Sequence, residues 1–177
     1  GSPSGGTWSE NGSGSISGTT YSTGNISSNE TVTVTYTIAA NGSCASTSSS
    51  QAFKVYYNPG TASNTTSTTA ICEGSTKTLA GSPSGGTWSE NGSGTISGTT
   101  YSTGNISANE TVTVTYTIAT NGSCSGSSAD KAFKVYYNPG AASNTTSTAA
   151  ICEGTTKALA GSPSGGTWSE NGSGSIS

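Results

Sequence analysis

Histidine, arginine and methionine are absent from this 177-residue chain, and charged residues of every kind make up only 7% of it. Without histidine, neither a Ser–His–Asp triad nor a Cys–His pair can be assembled. The carboxylates Glu73, Glu90, Glu110 and Asp130 stand singly, so the sequence supplies neither the paired acids of a glycosidase nor a calcium loop. Zinc needs clustered thiols or imidazoles, whereas Cys44, Cys72, Cys124 and Cys152 are spread along the chain. The glycine-rich stretches open no helix and match neither a P-loop nor a dinucleotide fingerprint. No apolar run approaches the roughly 18 residues that cross a bilayer, so no membrane insertion is expected. A net charge of −3 is too small to steer the chain to nucleic acid or an anionic membrane. The expectation is a protein that is not an enzyme and has no metal or cofactor.

Serine and threonine fill the space that charge leaves, with 28 among the 80 residues Gly81–Ala160. Such a composition suits disorder, but disordered chains lack aromatic and β-branched residues. Here those residues recur at fixed positions. The stretch GSPSGGTWSENGSG begins at Gly1, Gly81 and Gly161, and residues 1–80 match residues 81–160 at 67 positions. Six of the 13 differences fall between Ala45–Gln51 and Ser125–Lys131, where a surface loop is expected. A repeat of this length is too long for an α-solenoid unit or a propeller blade and suits a small β-sandwich.

The phase of the repeat follows from YYNPG at Tyr56–Gly60 and Tyr136–Gly140. Proline cannot donate to a sheet ladder and biases the preceding residue towards extended geometry, which places junctions at Asn58/Pro59 and Asn138/Pro139. Residues 59–138 then form one complete repeat, flanked by the C-terminal part of another (1–58) and the N-terminal part of a third (139–177). On this reading the chain begins and ends within a repeat and carries neither signal peptide nor initiator methionine, as expected for a segment of something longer.

Within 59–138, ETVTVTYTIAT alternates Val112, Val114, Tyr116 and Ile118 with Thr111, Thr113, Thr115 and Thr117, the period of a strand with one buried face. KAFKVYYN places Phe133, Val135 and Tyr137 on one side. TAICE, TKTLAG, GGTWSE and GTISGTTYS are shorter strand candidates, separated by turns such as Asn91–Gly92 and Asn121–Gly122. No helical stripe occurs. The fold class predicted is all-β, as tandem Ig-like antiparallel β-sandwich repeats of 80 residues. The expected core is Val112, Val114, Tyr116, Ile118, Phe133 and Val135, with Trp8, Trp88 and Trp168 as the large fillers between the sheets. Gly85 and Gly86 are read as allowing close backbone approach before Trp88.

The cysteines read as a disulfide framework from an oxidising compartment. Two pairings are open. Cys72–Cys124 would staple one repeat, leaving Cys44 and Cys152 with partners outside the segment. Cys44–Cys72 with Cys124–Cys152 would instead stitch neighbouring repeats. The first is favoured because a small core needs an internal cross-link, and closing so long a loop is worth roughly 4 kcal/mol.

Other features read as ordinary surface chemistry. The threonine row could serve as an ice-binding face but is better explained as a solvated one. Sequons at Asn91, Asn105, Asn109, Asn121 and Asn144 arise readily in so hydroxyl-rich a chain. Lys77 or Lys134 could enter an isopeptide bond with an asparagine. If each repeat binds a surface glycan, Tyr136 and the loop Ser125–Asp130 are the place for it.

The order ICEGSTKTLAGSPSGGTWS, VTVTYTIATNGSC, AFKVYYNP resembles the Ig-like repeats of very large surface adhesins of Bacteroidota, exported by the type IX route, gliding-motility adhesins among them. The elements that carry it are Cys72-Glu73-Gly74, Gly85-Gly86-Thr87-Trp88 and the valine–threonine strand leading to Asn121-Gly122-Ser123-Cys124. The resemblance implies a cysteine pair within one repeat and an extracellular, cell-surface stalk or filament. Its partners would be neighbouring repeats, and other copies if a fibre forms. Two rival functions are a multivalent carbohydrate- or surface-binding module and a self-assembling fibre subunit.

Overall fold

A computed structural model describes every residue, Gly1–Ser177. All regular structure is β. The first part of the chain holds β1 (Thr7–Glu10), β2 (Ser15–Ser17), β3 (Thr20–Ser22), β4 (Glu30–Ile38) and β5 (Thr47–Val55). The next run is β6 (Ser63–Asn64), β7 (Ile71–Cys72), β8 (Thr76–Thr78), β9 (Gly81–Ser82) and β10 (Thr87–Glu90). It continues with β11 (Thr95–Ser97), β12 (Thr100–Ser102), β13 (Glu110–Ile118) and β14 (Ser127–Tyr136). The last part has only β15 (Ser143–Asn144) and β16 (Gly161–Ser162).

β6 to β14 pair only among themselves. The larger sheet has the order β10-β13-β14-β7, the smaller one β11-β12-β8, and β6 pairs with β9. β13 and β14 form a long antiparallel ladder from Glu110↔Val135 to Ile118↔Ser127. The one parallel pairing sets β7 beside the end of β14, as Val135↔Ile71 and Tyr136↔Cys72.

β13 is a strand because β-branched residues fit a pleated, half-buried surface. Its alternation sends Val112, Val114, Tyr116 and Ile118 inward, all buried, and leaves the threonines on the outer face. Phe133 and Val135 of β14 are buried beside them. Leu79, just past β8, and Tyr101 of β12 close the cluster from the smaller sheet. Two sheets thus face each other across one core, as in a sandwich. The rings of Tyr101 and Phe133 meet edge to face at 5.4 Å.

The tryptophan stands differently from the sequence expectation. The largest fully buried side chain is Tyr101, whereas Trp88 is half-buried. The reason is position: β10 is an edge strand, so the indole covers the margin of the sandwich. There Trp88 bridges the main cluster and a smaller one of Ala62, Tyr116 and Ile118, its ring 4.7 Å from that of Tyr116. Trp8 repeats this against Tyr36 at 4.8 Å. Trp168 is 39% exposed, because residues 139–177 contain no counterpart of β13 to pack on it.

The glycines of GGTW serve the neighbouring tyrosine. A Cβ on Gly86 would overlap the Tyr116 ring, and the Gly86 N–H donates to the Tyr116 hydroxyl at 2.9 Å. That hydroxyl donates onward to the Pro83 carbonyl at 2.6 Å. Lys77 is also buried; its ammonium lies 4.7 Å above the Phe133 ring and donates to the Thr69 carbonyl at 2.5 Å.

Candidate functional site at the junction between repeats

β5 ends at Val55, and Tyr56, Tyr57 and Asn58 lead out of the first part of the chain. Asn29, just before β4, accepts the Tyr57 N–H through Oδ1 at 2.9 Å, which fixes the direction of the exit. Asn109 does the same for Tyr137 at 2.9 Å, so the end of each repeat is built alike.

Against this exit sits the far end of the next repeat. The connection from β13 to β14 contains a tight turn closed by two backbone hydrogen bonds, Asn121 N–H to Cys124 O at 3.1 Å and Cys124 N–H to Asn121 O at 3.0 Å. Gly122 takes φ +59°, a left-handed conformation that suits glycine. Its bare backbone is also where the Tyr56 ring rests, for a Cβ there would run into that ring.

The polar groups of the contact are matched. Asn29 and Asn121 exchange amide hydrogen bonds, and Asn121 Nδ2 donates to the Tyr57 carbonyl at 2.7 Å. The Cys124 thiol points at the Tyr56 carbonyl, Sγ to O 3.5 Å. This is a small contact of one aromatic face, several directed hydrogen bonds and no ion pair among them.

Repetition supplies its own control. Tyr56 and Tyr57 are half-buried, while the equivalent Tyr136 and Tyr137 are 45% and 40% exposed. Asn121 and Cys124 are half-buried, while Asn41 and Cys44, in a turn with the same bridge, are exposed. Gly42 shares the turn geometry at φ +57° with nothing near it. Identical residues differ in burial according to whether a neighbouring repeat meets them.

The candidate binding residues do not converge. Ser125 precedes β14, Asp130 pairs with Thr115 in its middle, and Tyr136 ends it. At ~3.3 Å per residue, Asp130 and Tyr136 stand about 20 Å apart. Tyr136 is instead the counterpart of the junction residue Tyr56.

Both cysteine pairings need correction. Cys72 lies beside Tyr136 at the end of β14, whereas Cys124 lies before its start. A strand of that length separates them by roughly 30 Å, several times the reach of a disulfide. The stitched alternative fails as well. Cys44 sits at the far end of the first part, before β5, and Cys72 lies a β14 length beyond the junction. Cys124 and Cys152 occupy the same repeat positions as Cys44 and Cys72.

Cavities in the flanking parts lie where the complete repeat has packed side chains; the largest, of about 770 Å³, is lined by Ile151, Leu159, Trp168 and Ile176 among others. One of about 480 Å³ is lined by Asn144, Gly161, Gly166 and Trp168. In the complete repeat the equivalent surface, including Gly81 and Gly86, is covered by Tyr116. Another, of about 140 Å³, lies between Trp8, Tyr21 and Phe53, where the complete repeat places Leu79 against Tyr101 and Phe133.

Sequence reasoning missed Asn29, Tyr56, Asn121 and Gly122 as contact residues. The signal was present: NGSC and YYN are kept in both copies, while the residues just after NGSC differ. Searches against family models, curated proteins and solved structures returned no match to this chain.

Proposed function

We propose that this chain is a length of shaft from a repetitive extracellular surface adhesin or filament, built of Ig-like repeats stacked end to end. The observation that carries the reading is the pair of contexts at YYN and NGSC: half-buried where repeats meet, exposed where they do not. A surface that is complementary to the other end of its own repeat propagates, because every repeat carries both halves. Heterologous contacts of this kind form open linear assemblies, and stability in them is close to a sum over repeats and their nearest-neighbour contacts. The directed hydrogen bonds of the junction favour one orientation over a freely jointed string. The resemblance to Bacteroidota adhesin repeats supports the same role and a cell-surface location.

Small-angle scattering on chains of two, four and eight repeats tests this. A shaft gives a maximum dimension that grows linearly, by roughly 35–40 Å per repeat from strand rise, with a rod-like cross-section. Growth with about the square root of repeat number, as for a flexible string, would overturn it. A glycan and cell-binding panel on the same chains addresses the rival of multivalent binding, in which avidity rises with repeat number. Sedimentation addresses the fibre reading, since a single shaft stays monomeric.

A further inference from the structure

We propose that each junction is locked by a disulfide between the ICEG cysteine of one repeat and the NGSC cysteine of the repeat that follows. This rests on the end-to-end stacking proposed above. Cys72 pairs with Tyr136, and the Glu73 N–H donates to the Tyr136 carbonyl at 2.9 Å. One repeat earlier, the equivalent carbonyl of Tyr56 lies 3.5 Å from the sulfur of Cys124, which belongs to the next repeat. One carbonyl position therefore adjoins both cysteines, the first through its own sheet and the second across the junction.

Direction agrees with position. Ile71 packs on the core, so by strand alternation Cys72 points to the outer face. Tyr136 pairs with Cys72 and is exposed on that face, and its counterpart Tyr56 is the residue that meets the incoming turn. A disulfide needs its α-carbons ~4.4–6.8 Å apart, and a shared tyrosine, paired with one cysteine in the sheet and touched by the sulfur of the other, brings the two to one spot. Residues 1–177 contain no consecutive pair of repeats with both cysteines at a shared junction: Cys124 faces a repeat without its ICEG segment, and no NGSC turn follows Cys72 one repeat on. Bond formation would proceed by exchange with a disulfide oxidant, protein or glutathione. The two thiols lose their protons and together two electrons, one S–S bond forms, and the oxidant's S–S bond is reduced to two thiols.

The test uses the 177-residue chain and a chain lengthened by one further copy of residues 81–160 after Ala160, each treated with oxidised glutathione at low micromolar concentration. The 177-residue chain should keep all four thiols titratable. The lengthened chain should lose two, with Cys72 joined to the NGSC cysteine of the following repeat. Non-reducing peptide mapping with Cys44→Ser, Cys124→Ser and Cys152→Ser assigns the partner despite identical peptides. A Cys72–Cys124 bond in either chain overturns the proposal. So does a lengthened chain that scatters as a stacked rod yet keeps every thiol, an outcome that leaves the stacking intact. Free thiols together with a flexible profile overturn both readings.

Discussion

Asn29 and Asn121 belong to different repeats and face each other amide to amide, each donating one side-chain hydrogen bond to the other, at 3.0 and 2.8 Å. The pair is self-complementary in chemistry and carries no charge, so its strength should be nearly independent of salt. That suits a chain with so few ionic groups.

Asn121→Ala removes that exchange and the bond to the Tyr57 carbonyl. Net hydrogen-bond contributions run at about 0.5–1.5 kcal/mol, and this half-exposed site belongs at the lower end, for a total of about 1–2 kcal/mol. Asn41→Ala alters the same turn where no repeat meets it. Denaturant midpoints of the two variants should differ, with Asn121→Ala the less stable; equal losses would mean that the junction contributes nothing.

Gly122→Ala and Gly42→Ala form a second matched pair. Both force a side chain into left-handed backbone, at roughly 1–2 kcal/mol. Only the first drives a Cβ into the Tyr56 ring. Scattering should therefore show a loosened junction for Gly122→Ala and an unchanged profile for Gly42→Ala.

Trp88→Ala should cost about 2–4 kcal/mol, since the indole joins two clusters and stacks on Tyr116, somewhat below a fully buried aromatic. Trp168→Ala should cost under about 1 kcal/mol, as expected for an exposed side chain. Thermal unfolding of both variants checks the ranking, and a reversed order would contradict the packing of Trp88 on Tyr116 and the two clusters.

Tyr101 contributes to the alkaline limit. Burial, then the nearby Glu110 and Glu90 carboxylates, push its hydroxyl up to about 12 from 10.0. The unfolded chain therefore releases this proton first, and stability present below pH 10 is lost as the pH rises from 10 towards 12. Lys77 acts in the opposite sense: burial lowers its pKa from 10.5, so stability rises as the pH climbs to 10.5. Tyr101→Phe should flatten the alkaline loss. It should also be neutral or stabilising at pH 7, because the Tyr101 hydroxyl is buried without a hydrogen-bond partner and removing such a group relieves its desolvation. Fluorescence-monitored unfolding across pH 7–12 reads both effects.

The period-two pattern of Val112, Val114, Tyr116 and Ile118 was enough to read β13, its buried face and the all-β class, because alternation is a local property of a strand. The same local logic overrated Trp88. Size argues for a central place, but only the strand order shows β10 at the edge. The cysteine pairing was out of reach for a related reason: spacing along a chain says nothing about which end of a strand each thiol occupies. What the sequence by itself determined is the repeat, its strand content and its inward residues, all of which follow from side-chain volume, polarity and period. What only the tertiary structure decided is that YYN and NGSC lie at opposite ends of each repeat and meet across the junction. That meeting depends on contacts such as Asn29 with Asn121, 92 residues apart along the chain, for which there is no local code.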